Sequence, residues 1–269
     1  PADGFGYHGT ALDVKPGGSA TLKIPRVNLA QRLYRTTGEG IYRDSILLGK
    51  KTPIEHPLLD AGVLGQDSVQ SVVYRGKIYW FWGDTTRAAY PLGNFSTTGA
   101  TSLLPKEDGL PPDVGVNLQY FADGDFVKKM VDLPGPYPIW IDGLLTVKND
   151  AGEEKLIAHY AQVKGLEAVI SRGLIEFNDQ RQQFDVVKKI DLHTPLAPTG
   201  HPFPVNRDGV DYIYFAAPYP SIRVRATYKD VLDPSTYEAY TPLVAGSLYI
   251  KGHAKLHRNN GRLTWAWKK

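Results

Sequence analysis

The sequence predicts an all-β protein, a β-propeller preceded by an N-terminal β-rich extension. Three observations carry that expectation. From residue 65 onward the apolar residues alternate with period two, not with the 3.6-residue period of helices. The apolar runs are short and are separated by turn signals, Arg75-Gly76, "NDAG" at 149–152 and "RDG" at 207–209. The pattern also returns, with openings near residues 67, 140 and 201, a period of roughly sixty-odd residues. Several strand-like runs per unit at such spacing are the signature of propeller blades.

Taken in order, residues 1–61 read as the extension and a linker, and residues 62–269 as about three blades and part of a fourth. In the extension, "TALDVKPGGSATLKIPRV" is two alternating strands around a "KPGG" turn. "NLAQRLYRTTGEGIYRDSILLG" opens with one helical turn and returns to strand, and "KKTPIEHPLLDAG" is the linker. The first blade runs "DSVQSVVY", "KIYWFWGD", "GATSLLP" and "GDFVKKMVDL". The second runs "WIDGLLTV", "EKLIAHYA", "RGLIEFND" and "FDVVKKIDL". The third runs "HPFPV", "VDYIYFAAP", "SIRVRATY" and "YEAYTPL", and a fourth unit starts at "GSLYI" or "GRLTWAWKK". A propeller must close to remove its open edges. Two ways of closing remain open: the ring is completed by chain beyond Lys269, continuous or as a second polypeptide, or residues 1–50 supply the missing strands.

Composition narrows the function classes. A net charge of +3 over 269 residues, without a Lys/Arg block, gives no nucleic-acid signature. No apolar run approaches the ~18 residues of a membrane span. The absence of Cys excludes disulfides and thiolate metal sites. Sixteen Tyr, nine Phe and five Trp among 27 Gly and 20 Pro suit short strands joined by tight turns.

The chemistry-bearing residues cluster at the blade openings. If the first hairpin turns at Arg75-Gly76, Tyr74 pairs with Lys77 and, counting outward, Asp67 faces Asp84, with Cβ atoms ~5 Å apart. A one-residue slip would separate them. With a loop over 149–152, the same counting sets Asp142 opposite His159 in the second blade, and His201 takes the entry position of the third. Close carboxylates drive their proton affinities apart, so that one holds a proton while the other is ionised. That is the equipment of glycoside hydrolysis. The competing reading is ordinary: an Asp beside a strand caps a turn, and a His in an apolar strand is a satisfied core residue. Trp140, next to an entry residue, and Tyr90 are candidate sugar-stacking platforms. Arg87 would orient a substrate or pair with Asp84. Trp80 and Trp82 read mainly as core, and Glu176 and Glu238 as structural.

The Asp-start first strand, the "FWGDT" end of the second and the aromatic-rich blades resemble the five-bladed β-propeller glycoside hydrolases, among them arabinanases, xylosidases and endo-D-arabinanases. "GQDSV" and "WFWGDT" are also similar to uncharacterised bacterial secreted proteins. The resemblance implies a carbohydrate-active enzyme, extracellular or periplasmic, with a poly- or oligosaccharide substrate. In the arabinanase pattern a first-blade Asp is the base, a second-blade Asp tunes proton affinity and a third-blade Glu is the acid. Asp67 and Asp142 match the first two positions, but His201 stands at the third. The endo-D-arabinanase pattern, with two first-blade acids, fits Asp67 and Asp84. The expectation is therefore that Asp67, Asp84 and Asp142 are catalytic, and that His201, His159, Trp140, Arg87 and Tyr90 bind substrate without a required cofactor. Two rivals stay open. One is a non-catalytic glycan-binding or scaffolding propeller. The other is a hydrolase or lyase using a divalent cation such as calcium, for which these Asp and His side chains would be ligands.

Overall fold

A computed structural model describes residues 13–21, 23, 37, 38, 40–88, 95–111, 114–165, 168–194, 196–217, 222–247 and 253–269. The chain divides into two compact units, Pro1–Tyr34 and Arg35–Lys269. In the first, Gly18 N–H donates to Lys15 O (2.8 Å) across Pro16-Gly17, with Gly17 at φ 78°. This is the proline-then-glycine order of a type II turn. The described residues around it form no strand.

In the second unit, "RDSIL" forms a short helix, α1 (Arg43–Leu47), where strand was expected. Segment 40–63, which includes the stretch 50–62 read above as linker, packs onto the sheet region. Ile54 and Val63 are buried, Tyr42 Oη donates to Val114 O (2.6 Å), and Glu55 N–H donates to Asn117 Oδ1 (2.9 Å).

Eight strands follow: β1 (Gly65–Gln66), β2 (Val69–Tyr74), β3 (Lys77–Trp82), β4 (Thr85–Thr86), β5 (Thr98–Leu103), β6 (Gln119–Tyr120), β7 (Ala122–Asp123) and β8 (Phe126–Val127). Strands β2, β3, β5 and β6 make the first four-stranded sheet, in chain order. The expected fourth strand, "GDFVKKMVDL", is not in it. Gly124, at φ 59°, closes the β7–β8 turn instead, and the chain then dives inward. Met130 and Val131 are buried, and Met130 links Thr97 to Phe184 through backbone hydrogen bonds. The likeness of the two "VKK" segments therefore does not reflect equivalent strands.

The second sheet is a meander of β9 (Ile139–Lys148), β10 (Glu154–Lys164), β11 (Ala168–Asn178) and β12 (Gln183–Ile190). The third takes β13 (Phe203–Arg207), β14 (Val210–Phe215), β15 (Ile222–Arg225) and β16 (Glu238–Thr241). Between β15 and β16 lie α2 (Tyr228–Val231), capped by Thr227, and a 3₁₀ turn at Pro234–Thr236. A small hairpin, β17 (Arg258–Asn259) with β18 (Arg262–Leu263), leads to β19 (Ala266–Lys268). Strand β19 pairs with β16 as a fifth strand of the third sheet, where a new unit was expected. "GSLYI" lies mostly outside the described residues.

The protein is thus all-β, with several antiparallel sheets and, among the described residues, no closed barrel. Two apolar clusters hold the large sheets together. One joins Tyr74 and Phe81 of the first sheet to Ile141, Leu156 and Phe177 of the second. The other joins Leu145, Ile157 and Leu174 of the second to Ile213, Phe215 and Val224 of the third. Alternation along β9–β11 sends neighbouring side chains to opposite clusters, so the second sheet is buried on both faces. Such a stack of three is not a two-sheet sandwich. Among the described residues no helix is long and apolar enough to cross a membrane.

Candidate functional site

The first hairpin turns at Arg75 (φ 48°) and Gly76 (φ 76°), both in the left-handed region that a type I′ turn demands. Tyr74 pairs with Lys77, Val69 with Trp82, Gln66 with Thr85 and Gly65 with Thr86. The same register holds on both sides of a break in the ladder at residues 67–68 and 83–84, and Asp67 N–H donates to Asp84 O at 2.8 Å across it. The two aspartates are therefore cross-strand neighbours, as the turn chemistry predicts. Ser68, at φ 58°, bends the strand just there, and its N–H donates to Asp67 Oδ1 (2.6 Å). Asp67 is exposed and Asp84 half-buried. Burial, and next the charge of Asp67, push the Asp84 carboxyl above its ordinary range.

In the second sheet, the loop is 149–153 and not 149–152, with Lys148 opposite Glu154. The ladder then shifts by one residue, and Asp142 still faces His159. The shift is a bulge: Gly143 and Leu144 together oppose Ala158, with Gly143 at φ 60°. The bulge frees two N–H groups. Gly143 N–H donates to Asp142 Oδ1 (2.9 Å), and Leu144 N–H donates to Gln70 Oε1 (3.1 Å). Gln70 Nε2 in turn donates to Asp142 Oδ1 (2.5 Å), as does Gly200 N–H (2.8 Å) from the segment entering the third sheet. Asp142 is thus the knot tying all three sheets at their openings.

These residues share a cleft of about 320 Å³, lined by Asp84, Trp140, Asp142 and His201 together with Ser68, Gln70, Gly83 and Gly200. Gly83 leaves room for its neighbours: a Cβ there would stand 3.3 Å from Ser68 Cβ and 3.5 Å from Trp140 Cδ1. The indole Nε1 of Trp140 is buried with no partner among the described residues. Of the sequence candidates, the cleft gathers four, with Asp67 beside them. His159 instead lines an adjoining cavity. Burial, and secondarily the charge of Arg172, hold the imidazole down at about 4. Arg87 is placed apart from the cleft lining: its guanidinium lies 4.4 Å from the Phe95 ring centre and 4.5 Å from that of Phe126, and Nη1 donates to Val127 O. Tyr90 lies outside the described residues. Trp80 and Trp82 stack on each other, with Trp80 Nε1 on Ser102 Oγ. Glu176 accepts from Tyr228 Oη, and Glu238 is paired with Arg223.

Sequence reasoning missed Ser68, Gln70 and Gly200. Gln70 did leave a trace: it has the inward parity of Val72 and Tyr74 in "VQSVVY", where a polar side chain needs a buried partner. Among the described residues no group of three or more His, Asp or Glu side chains is arranged to hold a metal ion. Compared with known proteins, the chain matches no family model and no curated protein.

Proposed function

We propose that the chain is a glycoside hydrolase whose stacked sheets are blades of a propeller. Asp84 acts as the general acid and Asp67 as the base or nucleophile on a poly- or oligosaccharide. The observation that supports this most is the cross-strand placing of Asp67 against Asp84, with Asp84 the partly buried member whose carboxyl is pushed above the ordinary Asp range. A proton donor for a leaving oxygen needs a carboxyl that stays protonated near working pH, and burial beside a second carboxylate is how proteins make one. Asp142, immobilised by three N–H donors, positions the pocket, Trp140 offers a ring face to a sugar, and His201 contributes from the segment entering the third sheet. The enzyme would work outside the cytoplasm, on envelope or environmental glycan.

One observation favours a non-catalytic glycan-binding module instead. Asp67 Oδ1 accepts from Ser68 N–H, the bond of a turn-capping aspartate. A paired experiment separates the readings. Hydrolysis of arabinans, xylans and galactans is measured beside the thermal midpoint for wild type, Asp67→Asn and Asp84→Asn. The enzyme reading expects cleavage by wild type, and loss of about 10²–10⁴ in rate with an unchanged midpoint in the variants. Variants that melt earlier yet keep full turnover would reduce both aspartates to turn chemistry.

A further inference from the structure

The cavity adjoining the cleft, about 420 Å³, shares Trp140, Ile141 and Asp142 with it and is otherwise walled mainly by apolar side chains, among them Ala161, Val169, Ile190, Leu196 and Tyr237. Its size and lining are those of a small-molecule site. Its two charged side chains, Arg172 and Asp142, are held by bonds to the surrounding backbone and to Gln70. Arg172 spends Nε and Nη2 on the backbone carbonyls of Asp191, Leu192 and Thr194, building the rim. Asp142 Oδ1 accepts three N–H groups.

His159 differs. Its Nε2 lies 3.3 Å from Tyr237 Oη, and Tyr237 Oη gives its single proton to Val231 O (2.9 Å). Nε2 must therefore be the donor in the His159–Tyr237 pair, which leaves Nδ1 of the neutral ring as a bare acceptor. The Cδ2 edge faces Gly143, where a Cβ would approach to 3.0 Å, and His159 is part of the cavity wall. Nδ1 has no partner among the described residues. A mainly apolar chamber with this acceptor fits an apolar ring bearing a donor.

We propose that this cavity binds a neutral, ring-sized alcohol, a phenol or alicyclic alcohol, whose hydroxyl donates to His159 Nδ1. The site stands apart from the hydrolase reading, since nothing in it requires Asp84. Calorimetric titration of the whole chain with 4-methylphenol tests it, with toluene as the probe lacking the hydroxyl. Wild type should bind 4-methylphenol about two- to tenfold more tightly than toluene, the worth of one hydrogen bond. His159→Phe should erase that preference. Val169→Trp, at a position 43% exposed on the cavity wall, should abolish binding while leaving the thermal midpoint in place. Asp84→Asn should bind as wild type does. The proposal is overturned if folded wild type binds no 4-methylphenol, if Val169→Trp binds it undiminished, if folded His159→Phe keeps the preference, or if Asp84→Asn loses binding, which would move the ligand into the cleft.

Discussion

Asp84 shows how one carboxyl becomes different from its neighbour. Its proton affinity is raised first by burial and then by Asp67, so the native state holds the proton more tightly than the unfolded chain. Stability should therefore fall as pH rises from about 3.8 through the raised value and stay reduced above it. Asp84→Asn removes that cost, so the variant should match or exceed wild type at neutral pH by a few tenths of a kcal/mol. Carboxyl-detected NMR should find the Asp84 midpoint above 3.8 and lower in Asp67→Asn. Asp67→Ala, by contrast, loses the acceptor for Ser68 N–H and should cost ~1 kcal/mol, where Asp67→Asn keeps a carbonyl there. His159 titrates the other way. Its native value of about 4 lies below the ordinary 6.5, so the unfolded chain binds the extra proton between those values. Stability present above pH 6.5 should be lost as pH falls toward 4, by up to about 3 kcal/mol, and His159→Phe should flatten that slope in denaturant titrations at several pH values.

At the scale of elements, the bulge at Gly143 sets the site. Gly143→Ala would force a Cβ to within 3.0 Å of His159 and 3.2 Å of Phe215 at a positive φ. It should destabilise by about 1–3 kcal/mol in denaturant unfolding. Gln70→Leu leaves the Leu144 N–H unpaired in the interior and should cost a similar amount. The same elements show what a sequence discloses. The Asp67–Asp84 pairing was legible because Arg75-Gly76 has one good turn geometry, and a two-residue turn dictates register all along the hairpin. The Asp142–His159 pairing was reached through two offsetting errors, since the loop is one residue longer than read and the bulge consumes that residue. Gly143 in an alternating strand signals a bulge in hindsight, but periodicity alone does not place one. "GDFVKKMVDL" misled because its alternation suits a strand while Gly124 breaks the chain there, and the buried Met130 depends on contacts far away in sequence.

Across the whole molecule, three antiparallel sheets in chain order share two cores, with the second sheet packed on both faces. Phe215 lies fully buried in the second core, against His159 and Tyr237. Phe215→Ala should cost about 3–5 kcal/mol and loosen the third sheet, exposing its amides to hydrogen exchange ahead of those in the first. The stacking follows from period-two alternation in β9–β11, which the sequence displays openly. The recruitment of β19 into the third sheet does not, because a short "AWK" strand pairs wherever an edge is free. The openings of all three sheets meet at Asp142, which is why residues from three separate stretches of chain line one cleft.

The most direct test of the account asks Asp84 and Asp67 to fail differently. A 2,4-dinitrophenyl glycoside of the preferred sugar has a leaving group that departs without a proton. Asp84→Asn should cleave it within about tenfold of wild type while losing about 10²–10⁴ on the polysaccharide, and Asp67→Asn should lose both. If Asp84→Asn is equally impaired on the two substrates, or Asp67→Asn retains both activities, the division of labour between the two aspartates is contradicted.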